Sequence, residues 1–171
     1  MKGRYNQKIK DTRVANKKWA QNHWEIIKSN YKSAKAFKDF ADILEQSYLQ
    51  CEKLNFLSDV NMLFLNLINS ILGIKTLITD SSNYKMEGDR NQKIISICKH
   101  AKAELYITGP SAKTYLNEKM FFESGISLKW VDYNSYPEYD QLFPPFENAV
   151  SIIDVILNNG IKSTTFLTSF Q

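Results

Sequence analysis

An α/β fold, with a small and mostly parallel sheet behind a helical N-terminal part, is what three observations predict. Residues 17–72 carry apolar side chains at helical spacing. From residue 74 onward short apolar runs alternate with helical stretches as strand, helix, strand, helix, strand, the pattern of parallel βαβ units. At 171 residues, with 43% hydrophobic and 13% aromatic content, the chain can build a core but is short for two full domains. One domain is therefore expected over residues 1–171: a basic helical part (1–55), an α/β core (56–160) and a short polar tail (161–171).

Each element has its own warrant. Lys8–Val14 reads as a short strand with weak alternation. Trp19, His23, Trp24, Ile27 and Tyr31 mark a helix from about Lys17 to Tyr31. Ser33 is placed to cap a second helix with Phe37, Phe40, Leu44 and Tyr48 on one side. A third runs from Ser58 to Leu72 and stops at Gly73; it is apolar almost all round and is expected to lie buried against a sheet. Ile74–Thr79 reads as a strand, followed by a loop over 80–88. Asp89 can cap a helix that ends near His100, and Glu104–Thr108 is the next strand. Ser111 is expected to open a helical piece closing at Gly125, and Ile126–Val131 is the third strand. Residues 132–147, with three prolines, should form an ordered loop before a last helix from Ser151 to Gly160. Strands in this order lead to a Rossmann-like, three-layer expectation, with a ligand crevice beside the loops after residues 79, 108 and 131. An obvious first strand is missing.

The charge is uneven. The whole chain carries +4, but residues 1–40 hold 11 Lys+Arg against 3 Asp+Glu, and the remainder holds 11 against 15. A basic N-terminal quarter with interleaved Trp19, Trp24 and Tyr31 suits nucleic acid or phosphates, yet it equally suits a solvated helical face. Without a nucleic-acid motif, a nucleic-acid-binding protein is the weaker alternative. Cys51 and Cys98 lie in apolar helical stretches and read as reduced thiols of a cytoplasmic protein. The polar opening Met1-Lys-Gly-Arg-Tyr-Asn does not resemble a signal peptide. Asp59, Asn61, Asn66 and Asn69 interrupt the most apolar stretch and argue against a membrane span. No Gly-x-Ser-x-Gly elbow and no P-loop or dinucleotide fingerprint occurs, and His23 and His100 lack the neighbours of a zinc site.

Several residues are candidates for chemistry. Gly109-Pro-Ser111 ends a strand, so N–H groups of Ser111 and Ala112 with the Ser111 hydroxyl can hold a phosphate or carboxylate; alternatively Ser111 merely caps and Gly109 merely turns. Ser81, Ser82 and Arg90 would open at the same sheet edge, Arg90 suiting a bidentate anion contact, although two loop serines are commonplace. Ser151, Asp154 and Asn158 share one helical face amid Ile and Val. A carboxylate there needs partners: a ligand, or a loop pinned through Tyr139 or Gln141. As a base, Asp154 would deprotonate an amine or hydroxyl nucleophile. His23 shares a face with Trp19, which is also an ordinary structural placement.

These residues together resemble the WbqC-like family of bacteria. The resemblance rests on Trp19…His23…Tyr31, Leu72-Gly-Ile-Lys-Thr76 with Ser81-Ser82, and Asp89-Arg90 ahead of Ile-Ser-Ile-Cys98. It continues through Tyr106-Ile-Thr-Gly-Pro-Ser111 with Tyr115-Leu116, then Gly125-Ile126, Tyr139…Gln141, Phe146 and Ser151-Ile-Ile-Asp154…Asn158-Asn-Gly160. It implies a correspondence to the C-terminal two-thirds of a member, without an N-terminal strand segment. It also implies a transferase that moves an aminoacyl unit, glycyl in the simplest case, onto a sugar in O-antigen or other surface polysaccharide synthesis. Asp154 and Ser111 would then be catalytic, and Ser81, Ser82, Arg90, Gly109, Gln141, Ser151, Asn158 and His23 would bind substrate. No cofactor or metal is identified; the donor would be nucleotide-linked or otherwise activated. The alternative is a non-catalytic remnant or binding module that pairs with another chain through an exposed sheet edge. One departure is Ala112, where many relatives carry glycine; its Cβ would narrow a ligand's approach to the backbone.

Overall fold

The computed structural model describes residues 7–133 and 136–167. It is a mixed α/β chain with the order α1 (Lys18–Tyr31), α2 (Phe37–Cys51), α3 (Leu57–Ile71), α4 (Arg90–His100), β1 (Leu105–Thr108), α5 (Glu118–Glu123), β2 (Ser127–Trp130) and α6 (Ile152–Asn159). The chain divides into two compact units. One takes the residues up to Lys75 together with Pro137–Leu167; the other takes Thr76–Tyr136. The expected polar opening at residues 1–6 and the last four residues of the expected tail lie outside the described residues.

The first unit is helical. Ala20, Trp24 and Ile27 of α1 meet Phe37, Leu44 and Tyr48 of α2, with Val60 of α3 and Leu157 of α6 completing the core. Trp24 is its keystone. Its ring stacks on Phe37 at 6.2 Å and on Tyr48 at 6.1 Å, while its indole N–H donates to Glu45 Oε1 at 2.8 Å. Each such large side chain taken from water stabilises by about 1.5–3 kcal/mol. The expected strand at Lys8–Val14 is instead a 3₁₀ turn at Ile9–Asp11 and a single antiparallel bridge, Arg13 to Phe56. Ser33 does not cap α2, which starts at Phe37 after Ala36 without a side-chain cap. Nor is α3 buried all round: Val60 is its one buried residue, and Leu65 on the same helix is 45% exposed. Gly73, at φ +67°, stops α3 as expected. Ser151 caps α6 by accepting from the Ile153 N–H at 3.3 Å. Gly160, at φ +62°, ends α6 and begins a 3₁₀ stretch to Phe166, where a polar tail was expected; Ser163 in it is fully buried.

The second unit holds one parallel βαβ crossover. β1 and β2 pair in parallel with Leu105 opposite Ser127 and Thr108 opposite Trp130. One face packs Tyr106 and Leu128 onto Ile95, Cys98, Phe121 and Ile126, and the Tyr106 ring stacks on Phe121 at 5.7 Å. The other face leaves Leu105 and Ile107 exposed. The first of the three expected strands, Ile74–Thr79, does not form: these residues enter no ladder, and Leu77 is 85% exposed. Alternation supplies a strand with faces; a ladder also requires a neighbour with matching free groups, and here the sheet has two strands. Asp89 does cap α4. It accepts from the Gln92 N–H while Gln92 Oε1 accepts from the Asp89 N–H, a reciprocal capping box. No helix among the described residues is long and apolar enough to cross a membrane.

Candidate functional site

Helix α1 places Trp19, His23, Ile27 and Tyr31 four residues apart along one face. That stripe is roughly 18 Å long at the helical rise. In the first unit it forms one wall of a cavity of about 730 Å³. Val60, Phe64 and Ile68 of α3 form the facing wall, Tyr48 of α2 contributes, and Ser151–Ile153 at the start of α6 close one part of it. Arg13 and Asn16, ahead of α1, also line it.

His23 is held in place. Its Nδ1 lies 3.0 Å from the Tyr48 hydroxyl, and the two rings meet edge to face at 5.4 Å. Burial pushes the Tyr48 hydroxyl up to about 12. The hydroxyl therefore keeps its proton and can donate it to Nδ1, which leaves Nε2 of a neutral imidazole as the N–H. If the Nδ1 proton is donated instead, Nε2 becomes the acceptor. Among the described residues Nε2 has no hydrogen-bond partner. Trp19 packs against both rings at 6.2 Å, and its buried Nε1 lacks a partner among the described residues.

Behind Tyr31 stands the most concentrated polar group of the unit. Asp154 is 7% exposed, and its carboxylate accepts from Tyr31 at 2.8 Å through Oδ2, and from Tyr139 at 2.5 Å and Gln141 at 3.2 Å through Oδ1. Burial first, and the Asp154 hydrogen bond second, push the Tyr31 hydroxyl well above its usual range and that of Tyr139 up to about 12. Gln141 also clamps its own loop, donating to the Glu147 carbonyl at 2.8 Å and accepting from the Glu147 N–H at 2.7 Å. Asn158 is buried beside this group, but its amide bonds the Asp154 backbone carbonyl at 2.9 Å and not the carboxylate. His23 and Ser151 line the cavity; Asp154, Gln141 and Asn158 form the layer beside it in the same unit.

The other five candidates lie in the second unit. Ser111 is exposed in a 3₁₀ turn, Pro110–Thr114, that Gly109 opens. It is not the cap of that turn, and the Ala112 N–H expected to be free donates to the Gly109 carbonyl at 3.1 Å. Gly109 sits at φ −78°, so it is not required for a left-handed turn. A Cβ there would approach the Tyr133 hydroxyl to 3.0 Å, so close approach is the constraint. Ser81 and Ser82 lie in a short 3₁₀ turn whose Ser82 N–H is taken by Asp80 at 2.7 Å. Arg90 stacks over the Tyr115 ring at 4.4 Å. Thr108 and Val131 do come together at the sheet end, where the Val131 N–H donates to the Thr108 carbonyl at 2.9 Å. Thr79, expected as the third member of that rim, belongs to no strand.

Sequence reasoning did not place Trp19, Tyr31, Tyr48 and Phe64 in a site. The available signal is the four-residue repeat on α1, which in the sequence equally suits a solvated helical face. The partner helix that makes the repeat a wall is not visible in the repeat itself.

Comparison with known proteins agrees with the resemblance described above. The family model described as "WbqC-like protein family" matches residues 1–166. The uncharacterized protein Rv1507c of Mycobacterium tuberculosis (strain ATCC 25618 / H37Rv) is 38% identical over 167 residues, covering 98% of this chain and 72% of that protein. No solved structure matches. The chain belongs to the WbqC-like protein family.

Proposed function

We propose that the chain transfers an aminoacyl group, glycyl in the simplest case, from an activated donor to a sugar destined for a surface polysaccharide such as O-antigen. The observation that carries this reading is the cavity along α1, with His23 pinned by Tyr48 in an aromatic wall. Such rings pack well against the C–H faces of a sugar, and a pocket of this size takes a small ligand. In the reaction an amine or hydroxyl of the sugar attacks the acyl carbon. In the tautomer whose Nδ1–H donates to Tyr48, His23 accepts the nucleophile's proton on Nε2, the new N–C or O–C bond forms, and the bond to the activating group breaks with its electron pair leaving on that group. Asp154, whose oxygens already accept from three donors, acts as the acceptor that orients Tyr31 and Tyr139; we do not assign it the role of base. Asn158 and Gln141 support it, and Ser151 lines the acceptor pocket.

In the second unit, we assign Ser111, Gly109, Ser81, Ser82 and Arg90 to binding an anionic group of the activated donor. The parallel crossover of β1, α5 and β2 is read as one repeat of a Rossmann-like layer. Among the described residues both strands have a free edge, which favours self-association, and the cytoplasm is the proposed location.

The test is transfer of labelled glycine to polysaccharide precursor in cells that depend on this chain. His23→Gln should lower the rate at least about a hundredfold, the low end for loss of a general base, with the fold intact by circular dichroism. An unchanged rate removes His23 from the chemistry, and an absence of any acyl incorporation by the unaltered chain removes the transferase reading.

A further inference from the structure

We propose that the Tyr31 end of the α1 cavity is a binding site for a protonated primary amine. This rests on the aminoacyl-transfer reading and gives it a substrate class: the cavity would take the free ammonium of the amino-acid moiety or of an amino sugar.

The argument begins with a charge that lacks a counterpart. Asp154 is buried, and its three partners, Tyr31, Tyr139 and Gln141, are all neutral donors. It belongs to no ion pair among the described residues. Neutral donors solvate a carboxylate but leave its net charge in place, and burial lets that charge act over a longer range than in water. The charge is felt through Tyr31. Because Tyr31 commits its proton to Asp154 at 2.8 Å, its oxygen has only lone pairs left to offer the cavity it lines. At Tyr31 the cavity therefore meets an acceptor and not a donor.

The walls point the same way. Trp19, Tyr48 and Phe64 line the cavity, with Tyr48 and Phe64 in contact at 4.8 Å and Trp19 and Tyr48 at 6.2 Å. Aromatic faces attract cations. Among the described residues the one cationic side chain in the lining, Arg13, precedes α1 and stacks over Phe56 at 5.0 Å. Tyr31 lies at the far end of α1, roughly 18 Å along the helix from Trp19.

The experiment uses the whole chain at pH 7 and follows the aromatic ring signals by NMR, with butylammonium, butan-1-ol and butyrate as probes of one shape and three charges. Butylammonium is expected to shift the Tyr31 ring signals and to bind about tenfold more tightly than butan-1-ol, with butyrate weakest. Asp154→Asn, which keeps shape and removes charge, should abolish that preference. Tyr31→Phe should weaken the ammonium and leave the alcohol unchanged. Equal affinity for ammonium and alcohol overturns the proposal, as does a preference that survives in Asp154→Asn. Should that variant unfold, the three-probe comparison on the unaltered chain decides alone. An ammonium preference without acyl transfer leaves this site standing and removes the transferase; His23-dependent transfer without the preference does the reverse.

Discussion

The two units put their polar residues to opposite use. In the helical unit a carboxylate is buried among tyrosines and a glutamine, beside a cavity walled by aromatic rings. In the βαβ unit the conspicuous motif, Gly109-Pro-Ser111, leaves its serine at the surface, and the core beneath is a small cluster around Phe121. A turn motif announces itself in sequence because its residues are adjacent. A buried network assembled from separate helices does not, although it is the costlier one to disturb.

That contrast can be tested from its strongest consequence downward. Phe121→Ala should cost about 3–5 kcal/mol, and Leu44→Ala in the other core about 2–5 kcal/mol, read from urea unfolding. Hydrogen exchange would sharpen the comparison: Phe121→Ala should lower protection most in α4, α5 and the two strands, and uniform loss through α1 and α2 would say that both cores open together. Gly160→Ala should cost about 1–2 kcal/mol, because it forces a side chain into a left-handed backbone and brings a Cβ within 3.2 Å of the Ala36 Cβ. Asp89→Ala removes half of a capping box and should cost about 1 kcal/mol, while exposed Ser111→Ala should stay within about 0.5 kcal/mol. A larger loss at Ser111 would mean that the motif is structural after all.

The last expectation is invisible at neutral pH. Tyr48 and Tyr139 titrate in the fold at about 12 rather than at the usual 10, chiefly because they are buried. The fold thus favours their protonated forms. The stability this contributes is complete below pH 10 and is lost between about pH 10 and 12. Urea midpoints measured across that interval should fall, and fall less steeply in Tyr139→Phe; a flat profile would place both hydroxyls in contact with water.

Much of this was legible. The limits of α1, the Asp89 cap, the Ser151 cap and the stop at Gly73 all follow from neighbours within four residues. The need of Asp154 for a partner, and Tyr139 and Gln141 as that partner, could also be read, since an apolar helix cannot carry a bare carboxylate. Tyr31 could not, because it stands 123 residues away. The strand expected at 74–79 failed for a related reason: its alternation is real, but pairing is a property of two segments.

The sequence by itself determined where helices begin and end, which faces are apolar, and the family, since these depend on local backbone chemistry and on residue order. Tertiary structure alone decided that α1 and α3 stand apart far enough to leave a cavity between their aromatic faces. It also decided that Tyr31 donates its hydrogen bond to Asp154, and that among the described residues two strands pair. Each of these outcomes requires groups distant in the chain to meet, and the entropy of bringing them together is repaid only by the packing of the whole unit.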